Sequence, residues 1–378
     1  MKFLHTADWH LGKVVHGYPM IAEQKMALQQ LLHIIDCEQP DAVVVAGDLY
    51  DRAIPPLEAV DLLHETFQAI NLERGIPLLA ITGNHDSRER VSFGEAWYRS
   101  QHLYLNGTGL PSQPVILNNT AFHLVPYMEP SVVRQAFSTE EPLDHHGAME
   151  QIIDEIRKNY WNEAKHHVFV GHAFIRGGTP SESERMLALG GAEYVGSDLF
   201  APFTYTALGH LHHPYAISAE RIGYSGSLLK YSFQEAQQPK GVWLIDIEED
   251  GHVQRSFRPL HPERDVRILR GSLDELLQAG QSEPTNDFLK IELTDKGALL
   301  DPMQKIRVVY PNVLQMERVS LQQTGGSVHL SAYDQATKSP VDLFQQFYEE
   351  VSQDEYEKED ELLVKQTFER ILAGGEHE

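Results

Sequence analysis

The sequence predicts an α/β protein. Short apolar, β-branched runs of the buried-strand type recur through the first 262 residues. Helical stretches at 20–36, 57–74 and 148–165 separate some of them. Alternation of the two element types is the pattern of a layered α/β fold. A third observation concerns how the runs end. Five of them close on a Gly or another small residue and then on Asp, Asn or His.

The first run, Phe3-Leu4-His5-Thr6-Ala7, leads into Asp8-Trp9-His10. The second, Ala42-Val43-Val44-Val45-Ala46-Gly47, leads into Asp48. The third, Leu78-Leu79-Ala80-Ile81-Thr82-Gly83, leads into Asn84-His85-Asp86. The fourth ends Val170-Gly171-His172, and the fifth Leu208-Gly209-His210-Leu211-His212. Sites in open α/β sheets lie at the carboxyl ends of strands, so five such ends point to one shared site. Two divalent cations about 3.5–4 Å apart can clamp a phosphate and activate a water. They need a bridging carboxylate with carboxylate, amide and imidazole donors, a set suited to Mn²⁺, Fe²⁺ or Zn²⁺. Asp8, His10, Asp48, Asn84, His172, His210 and His212 are the candidates. Asn84 offers a neutral oxygen where a third carboxylate would over-charge the site. The other histidines, His5, His16, His33, His64, His102, His123, His145 and His146 among them, show no ligand pattern and read as structural or surface residues.

Beyond the fifth run, Val242-Trp243-Leu244-Ile245-Asp246-Ile247 is strand-like, and Glu249-Asp250-Gly251 signals a hairpin. Residues 265–319 read as a small α+β module: helix Leu273 to Ala279, strand Phe288 to Leu293, helix Pro302 to Val308, strand Val313 to Val319. Residues 320–340 are polar, centred on Gln322-Gln323-Thr324-Gly325-Gly326-Ser327, and read as a linker. The remainder, 341–378, is helical in pattern. Leu343, Phe344, Phe347, Tyr348 and Val351 form one apolar stripe; Leu362, Leu363, Phe368, Ile371 and Leu372 form another. A helical pair beyond a linker cannot bury such stripes alone. Docking on a partner protein is expected, with packing on the chain's own domain as the alternative.

The 378 residues suffice for two domains. No apolar stretch approaches the roughly 20 residues that span a bilayer, and the first residues lack the signal-peptide pattern. A cytoplasmic protein is expected. Cys37, the single cysteine, excludes an internal disulfide and reads as a small buried residue closing a helix. The net charge of −24, from 31 basic and 55 acidic residues, argues against a free-standing nucleic-acid binder. Bound cations or a basic partner would offset it. The acidic excess is uneven, with twelve Asp or Glu against three Lys or Arg from 341 to 378.

The order D-x-H, G-D-x-x-D, G-N-H-D, G-H, G-H-x-H resembles the calcineurin-like metallophosphoesterase superfamily. The narrower likeness is to its DNA-nuclease members. It lies in His5 to Lys13, Gly47 to Asp51 with Pro55-Pro56, Gly83 to Ser87, Gly209 to Pro214 and Tyr224 to Phe233. It covers the first 262 residues strongly, and the module and tail only in layout.

The resemblance implies a four-layer β-sandwich flanked by helices. It assigns Asp8, His10, Asp48 and His212 to one metal, and Asp48, Asn84, His172 and His210 to the other. His85 would face the scissile phosphate and protonate the leaving oxygen. Asp51 matches the carboxylate that bonds this histidine in related phosphatases, although related archaeal nucleases carry a histidine there. Arg52 matches a phosphatase arginine in position only. The expected cofactors are two divalent ions, Mn²⁺ by family. The implied reaction is metal-dependent hydrolysis of DNA phosphodiesters at ends and hairpins, in repair or recombination. The implied partner is a coiled-coil ATPase bound by the tail. The small module would cap the site and touch DNA, with Lys13, Arg88, Lys290, Lys305 and Arg307 as candidate contacts. Phe93, Trp97, Tyr98 and Leu103 either form a homodimer face or pack in the core. A phosphoesterase for small substrates and a non-catalytic scaffold are the competing readings. The linker and tail count against the first, and the complete ligand set against the second.

Overall fold

Near-continuous apolar runs suit strands covered on both faces, and the chain uses them that way. The structure, a computed structural model, describes residues 1–108, 111, 113–161, 164–178, 181, 184, 194–296, 298–319, 341, 344, 345, 348 and 361–368. In chain order its main strands begin with β1 (Lys2–Thr6), β2 (Ala42–Ala46), β3 (Leu78–Ile81), β4 (Leu103–Asn106), β5 (Val115–Leu117) and β6 (Thr120–Val125). There follow β7 (His166–His172), β8 (Tyr205–Gly209), β9 (Ile222–Tyr224), β10 (Gly241–Ile247) and β11 (Val253–Pro259).

They form two sheets, ordered β11-β10-β1-β2-β3-β4 and β9-β8-β7-β6-β5. β1 to β4 run parallel to one another, as do β6 to β9, so in each sheet the ligand-bearing ends share one edge. The sheets pack face to face through Phe3, Val44, Leu79 and Ile81 on one side and Phe122, Val168, Val170, Tyr205 and Ala207 on the other. Helix His145–Glu155 covers the outer face of the second sheet, where Met149, Ile152 and Ile153 meet Phe169, Leu208 and Tyr224. The alternate residues of the first sheet, Leu4, Val43, Val45, Leu78 and Ala80, are also buried. The fold is the helix-flanked sandwich expected. The Glu249-Asp250-Gly251 hairpin is present between β10 and β11.

Contacts divide the chain into Met1–Arg267 and Ile268–Glu378. In the second unit, β12 (Val266–Gly271), β13 (Phe288–Leu293) and β14 (Val313–Arg318) form a three-stranded sheet in that order. Helices Leu273–Ser282 and Pro302–Val309 supply Leu273, Leu276 and Ile306 to a core with Leu289, Ile291 and Val313. The first of these helices opens on a capping box between Ser272 and Glu275. The expected linker, 320–340, lies outside the described residues, as does most of the tail. The described tail residues are helical, and Leu362 and Leu363 are exposed. Among the described residues no helix is long and apolar enough to cross a membrane.

Two expectations need correction. Cys37 is exposed. Helix Ile21–Glu38 buries Ala27, Leu28, Leu31 and Ile35, and a residue two beyond Ile35 lies on the opposite side. The helix expected at 148–165 starts earlier, where Asp144 caps it through the Gly147 N–H, passes through a π turn at Ile156–Tyr160 and ends as Trp161 turns extended.

Candidate metal centre

Backbone geometry sets the centre. Past β1 and β2 the two chains stay zipped: the Asp8 N–H donates to the Gly47 carbonyl, and those of His10 and Leu11 to the Asp48 and Leu49 carbonyls, each at 3.0 Å. Asp8 (φ 51°), His10 (φ 46°), Asp48 (φ 50°) and His210 (φ 103°) all hold positive φ. Such conformations cost non-glycine residues about 1–3 kcal/mol each and cluster at functional sites. The glycines before the ligands are needed for clearance. A Cβ on Gly47 or Gly209 would collide with the His172 ring, and one on Gly83 with the Asp48 carboxylate.

The structure brings all seven candidate ligands into one cluster. Ligand atoms of Asp8, His10 and His212 lie within 4.8 Å of one another, as do those of Asp8, Asp48 and His172. Asn84 Oδ1 sits 2.9 Å from His172 Nε2 and 3.2 Å from His210 Nδ1, which ties Asn84 and His210 to the second group. The Asp8 carboxylate accepts the His210 N–H at 2.9 Å.

The donor set fits cations. The His212 ring directs Nδ1 at Glu235 Oε1, 3.3 Å away, and the His172 ring directs Nδ1 at the Ala46 carbonyl, 2.9 Å away. The carboxylate opposite Nδ1 of His212 keeps the proton there and leaves its Nε2 bare, and the His172 ring turns its Nε2 to the same cluster. His212 Nε2 meets His10 Nε2 at 3.1 Å, and His172 Nε2 meets Asp48 Oδ2 at 3.4 Å and the Asn84 oxygen. Ring nitrogens, carboxylates and an amide oxygen thus converge within a few ångströms, the donor set that divalent cations take.

Electrostatics agrees. Burial pushes the His210 ring down to about 3 and holds His10 well below the usual histidine range, so both stay neutral donors. Burial lifts Asp8 to about 7 against the pull of His172 and His212. Burial also works against ionised Asp48, but His172 and His10 hold it well below the usual carboxylate range.

His85 stands beside this cluster. Its N–H donates to Asp48 Oδ1 at 2.9 Å, and its ring meets the His10 ring edge-on at 4.7 Å. Its Nδ1 lies 2.8 Å from the backbone carbonyl of Asp51. The Asp51 carboxylate instead pairs with Lys13 Nζ at 2.8 Å and lies 3.7 Å from His10 Nδ1. The expected side-chain dyad is therefore a main-chain contact in this structure. Arg52 is exposed.

Sequence reasoning missed several supporting residues. Asp86, the last residue of Gly83-Asn84-His85-Asp86, accepts N–H groups from Leu49, Tyr50 and Gly83 at 2.9–3.1 Å and so joins the loops carrying Asp48 and Asn84. Buried Gln24 donates to the Trp9 and His10 carbonyls and to Tyr231 Oη. Their only sequence signal is a polar residue where a strand end or helix face predicts burial.

A model for the calcineurin-like phosphoesterase family matches residues 1–214, and one described as the type 5 capsule protein repressor C-terminal domain matches 262–352. The chain is 36% identical over 347 residues to the SbcD subunit of nuclease SbcCD from Staphylococcus epidermidis, covering 91% of this chain and 92% of that protein. It is 37% identical over 319 residues to the protein of the same name from Staphylococcus saprophyticus, covering 84% of each. A solved Escherichia coli phosphoesterase, Yfce, overlaps 69% of this chain at 15% identity with a TM-score of 0.29, too loose a match to describe the fold further. By coverage and identity the chain belongs to the calcineurin-like phosphoesterase family and, within it, to the family of SbcD subunits of nuclease SbcCD.

Proposed function

We propose that this metal-dependent hydrolase cuts DNA phosphodiesters at ends and hairpins as the nuclease subunit of a complex with an SbcC-type ATPase. The convergence of seven donor side chains beside His85 is the observation that carries the reading. In it, Asp8, His10, Asp48 and His212 hold one divalent cation, and Asp48, Asn84, His172 and His210 hold a second, with Asp48 shared. Bound there, the cations supply Lewis-acid activation of the phosphate and of the attacking water, and Mn²⁺ is the metal we expect. Asp8 and Asp48 supply the negative charge that retains them. His85, its Nδ1–H held by the Asp51 carbonyl, turns Nε2 away from that contact, and as the imidazolium it would pass the Nε2 proton to the leaving oxygen.

Lys13 and Arg88, half-buried beside the metal loops, are the DNA contacts proposed in the first unit, and exposed Lys305 and Arg307 those in the second. Lys290 is already paired with Glu317 at 2.7 Å and Lys13 with Asp51 at 2.8 Å, which weakens both candidacies against Arg88, Lys305 and Arg307. Phe93 and Trp97 are 73% and 72% exposed, and with Ile54 and Leu57 they make an apolar surface. That exposure supports a homodimer face over core packing. The tail is the docking segment for the ATPase, and the complex works in the cytoplasm.

Incubating the protein with hairpin DNA and with a chromogenic phosphodiester, with Mn²⁺ or with chelator, tests the reading. Mn²⁺-dependent DNA cleavage is expected. Turnover of the chromogenic ester with DNA left intact would favour the small-substrate alternative.

A further inference from the structure

The segment Tyr224 to Phe233 carries part of the family likeness, yet the chemistry above gives it and the residues after it no task. The structure supplies one. We infer that Glu235, locked by Lys240, is a positioning residue for His212, and that the pair sets the affinity of one of the two metal sites. The inference rests on the reading of His212 as a ligand.

Three buried charged groups grip His212 at three different points. Glu184 Oε1 accepts the His212 N–H at 2.6 Å. Lys240 Nζ donates to the His212 carbonyl at 2.9 Å. Glu235 Oε1 faces His212 Nδ1 at 3.3 Å. Lys240 also pairs with Glu235 Oε2 at 2.6 Å, so one ammonium fixes both the His212 main chain and the carboxylate that orients its ring. The third proton of Lys240 is shared between Ser227 Oγ at 2.9 Å and Gln238 Oε1 at 3.1 Å. Glu235 and Lys240 are 0% and 5% exposed. Ions are buried this deeply at a real desolvation cost, and a fully bonded arrangement with a fixed orientation is what such a cost sustains.

The chemical consequence is a fixed tautomer. A carboxylate opposite Nδ1 keeps the proton there, leaves Nε2 bare toward His10 and the metal site, and makes the ring a stronger donor. Among the other ligating rings, His10 Nδ1 has the Asp51 carboxylate only at 3.7 Å, beyond hydrogen-bond reach. His172 uses the neutral Ala46 carbonyl, and His210 Nδ1 faces the Asn84 amide oxygen. The two metal sites are therefore unequal by construction, and the one containing His212 depends on a charged support.

Glu235→Gln keeps the shape and an acceptor but removes the negative charge opposite Nδ1. In the full-length protein, Mn²⁺ titration followed by electron paramagnetic resonance should resolve two sites in the parent. In Glu235→Gln one site should weaken about 10- to 100-fold, with the other unchanged. A folded variant with both affinities unchanged overturns the inference. A parent that binds no Mn²⁺ overturns the ligand reading itself, which separates the two failures. A second measurement needs no altered Glu235. In metal-free, ¹⁵N-histidine-labelled parent, the His212 resonances, assigned by their loss in His212→Gln, should show Nδ1 protonated and Nε2 bare. The opposite tautomer overturns the inference even where Glu235→Gln fails to fold.

Discussion

His85 Nδ1 lies 2.8 Å from the backbone carbonyl oxygen of Asp51, while the Asp51 carboxylate turns to Lys13. The contact that orients the imidazole proposed as general acid is therefore independent of the residue type at position 51. Asp51→Asn should retain most of the nuclease activity. His85→Ala should lose about 10²–10⁴-fold while keeping both metals, the usual worth of a positioned general acid. DNA cleavage rates with metal content measured on the same samples check this. Equal losses in the two variants would restore the carboxylate dyad.

Clearance gives the second expectation. Gly209→Ala drives a methyl group into the Ala46 carbonyl and the His172 ring. Backbone must move to admit it, at about 1–3 kcal/mol or more. Thermal unfolding of the metal-free protein should drop by a few degrees, and bound Mn²⁺ should fall because His172 is displaced. A variant with parental melting and two bound ions would show that the loop yields freely.

The candidate ligands were legible in the sequence because they sit at the ends of apolar runs, where strand period and position coincide. Asp8, Asp48, Asn84, His172, His210 and His212 all follow this rule. Their supports were not legible. Gln24 lies in a helix 14 residues from His10, and Glu235 lies 23 residues from His212. Their one local signal, a polar residue at a position that should be buried, does not say what they support. The Asp51 carbonyl contact was hidden because main-chain bonds leave no trace in side-chain identity. Cys37 was misread because a helical stripe fixes a face only to within about one residue, and Cys37 falls on the solvent side of Ile35.

Asp86 carries the third prediction. Three backbone N–H groups end on its carboxylate. Asp86→Ala leaves all three without their acceptor, at about 1–3 kcal/mol for each that water cannot reach. Urea unfolding should show a loss of about 3 kcal/mol or more, and Asp86→Asn, which keeps one acceptor oxygen, a smaller one. Unchanged stability in Asp86→Ala would mean that water takes over the three donors.

The tail can be separated from the catalytic unit. The donors and their supports all lie between Asp8 and Lys240, in the unit Met1–Arg267. A chain ending at Val319 should bind metal as the parent does and fail to co-purify with an SbcC-type ATPase. Undiminished co-purification would move the docking surface elsewhere.

Protons released on metal binding give the last prediction. Burial disfavours the charged His172 ring, but Asp48 at 3.4 Å outweighs it and, with Asp8, raises the ring to about 9 in the metal-free protein. A ligating imidazole must be neutral. Between about pH 6.5 and 9, metal entry therefore displaces a proton from His172, and affinity should rise by up to tenfold per pH unit. The metal-free fold responds in the opposite sense. The raised folded value means this ring stabilises the fold fully below the ordinary histidine value near 6.5 and ceases to do so as pH passes about 9. Mn²⁺ titration calorimetry in buffers of different ionisation enthalpy should register about one proton released from this ring at pH 7.5, with Asp8, raised to about 7, adding to the release. Urea unfolding of the metal-free protein should show its contribution lost from pH 7 to 9. Mn²⁺ affinity independent of pH across this window would mean that His172 is already neutral before the metal arrives.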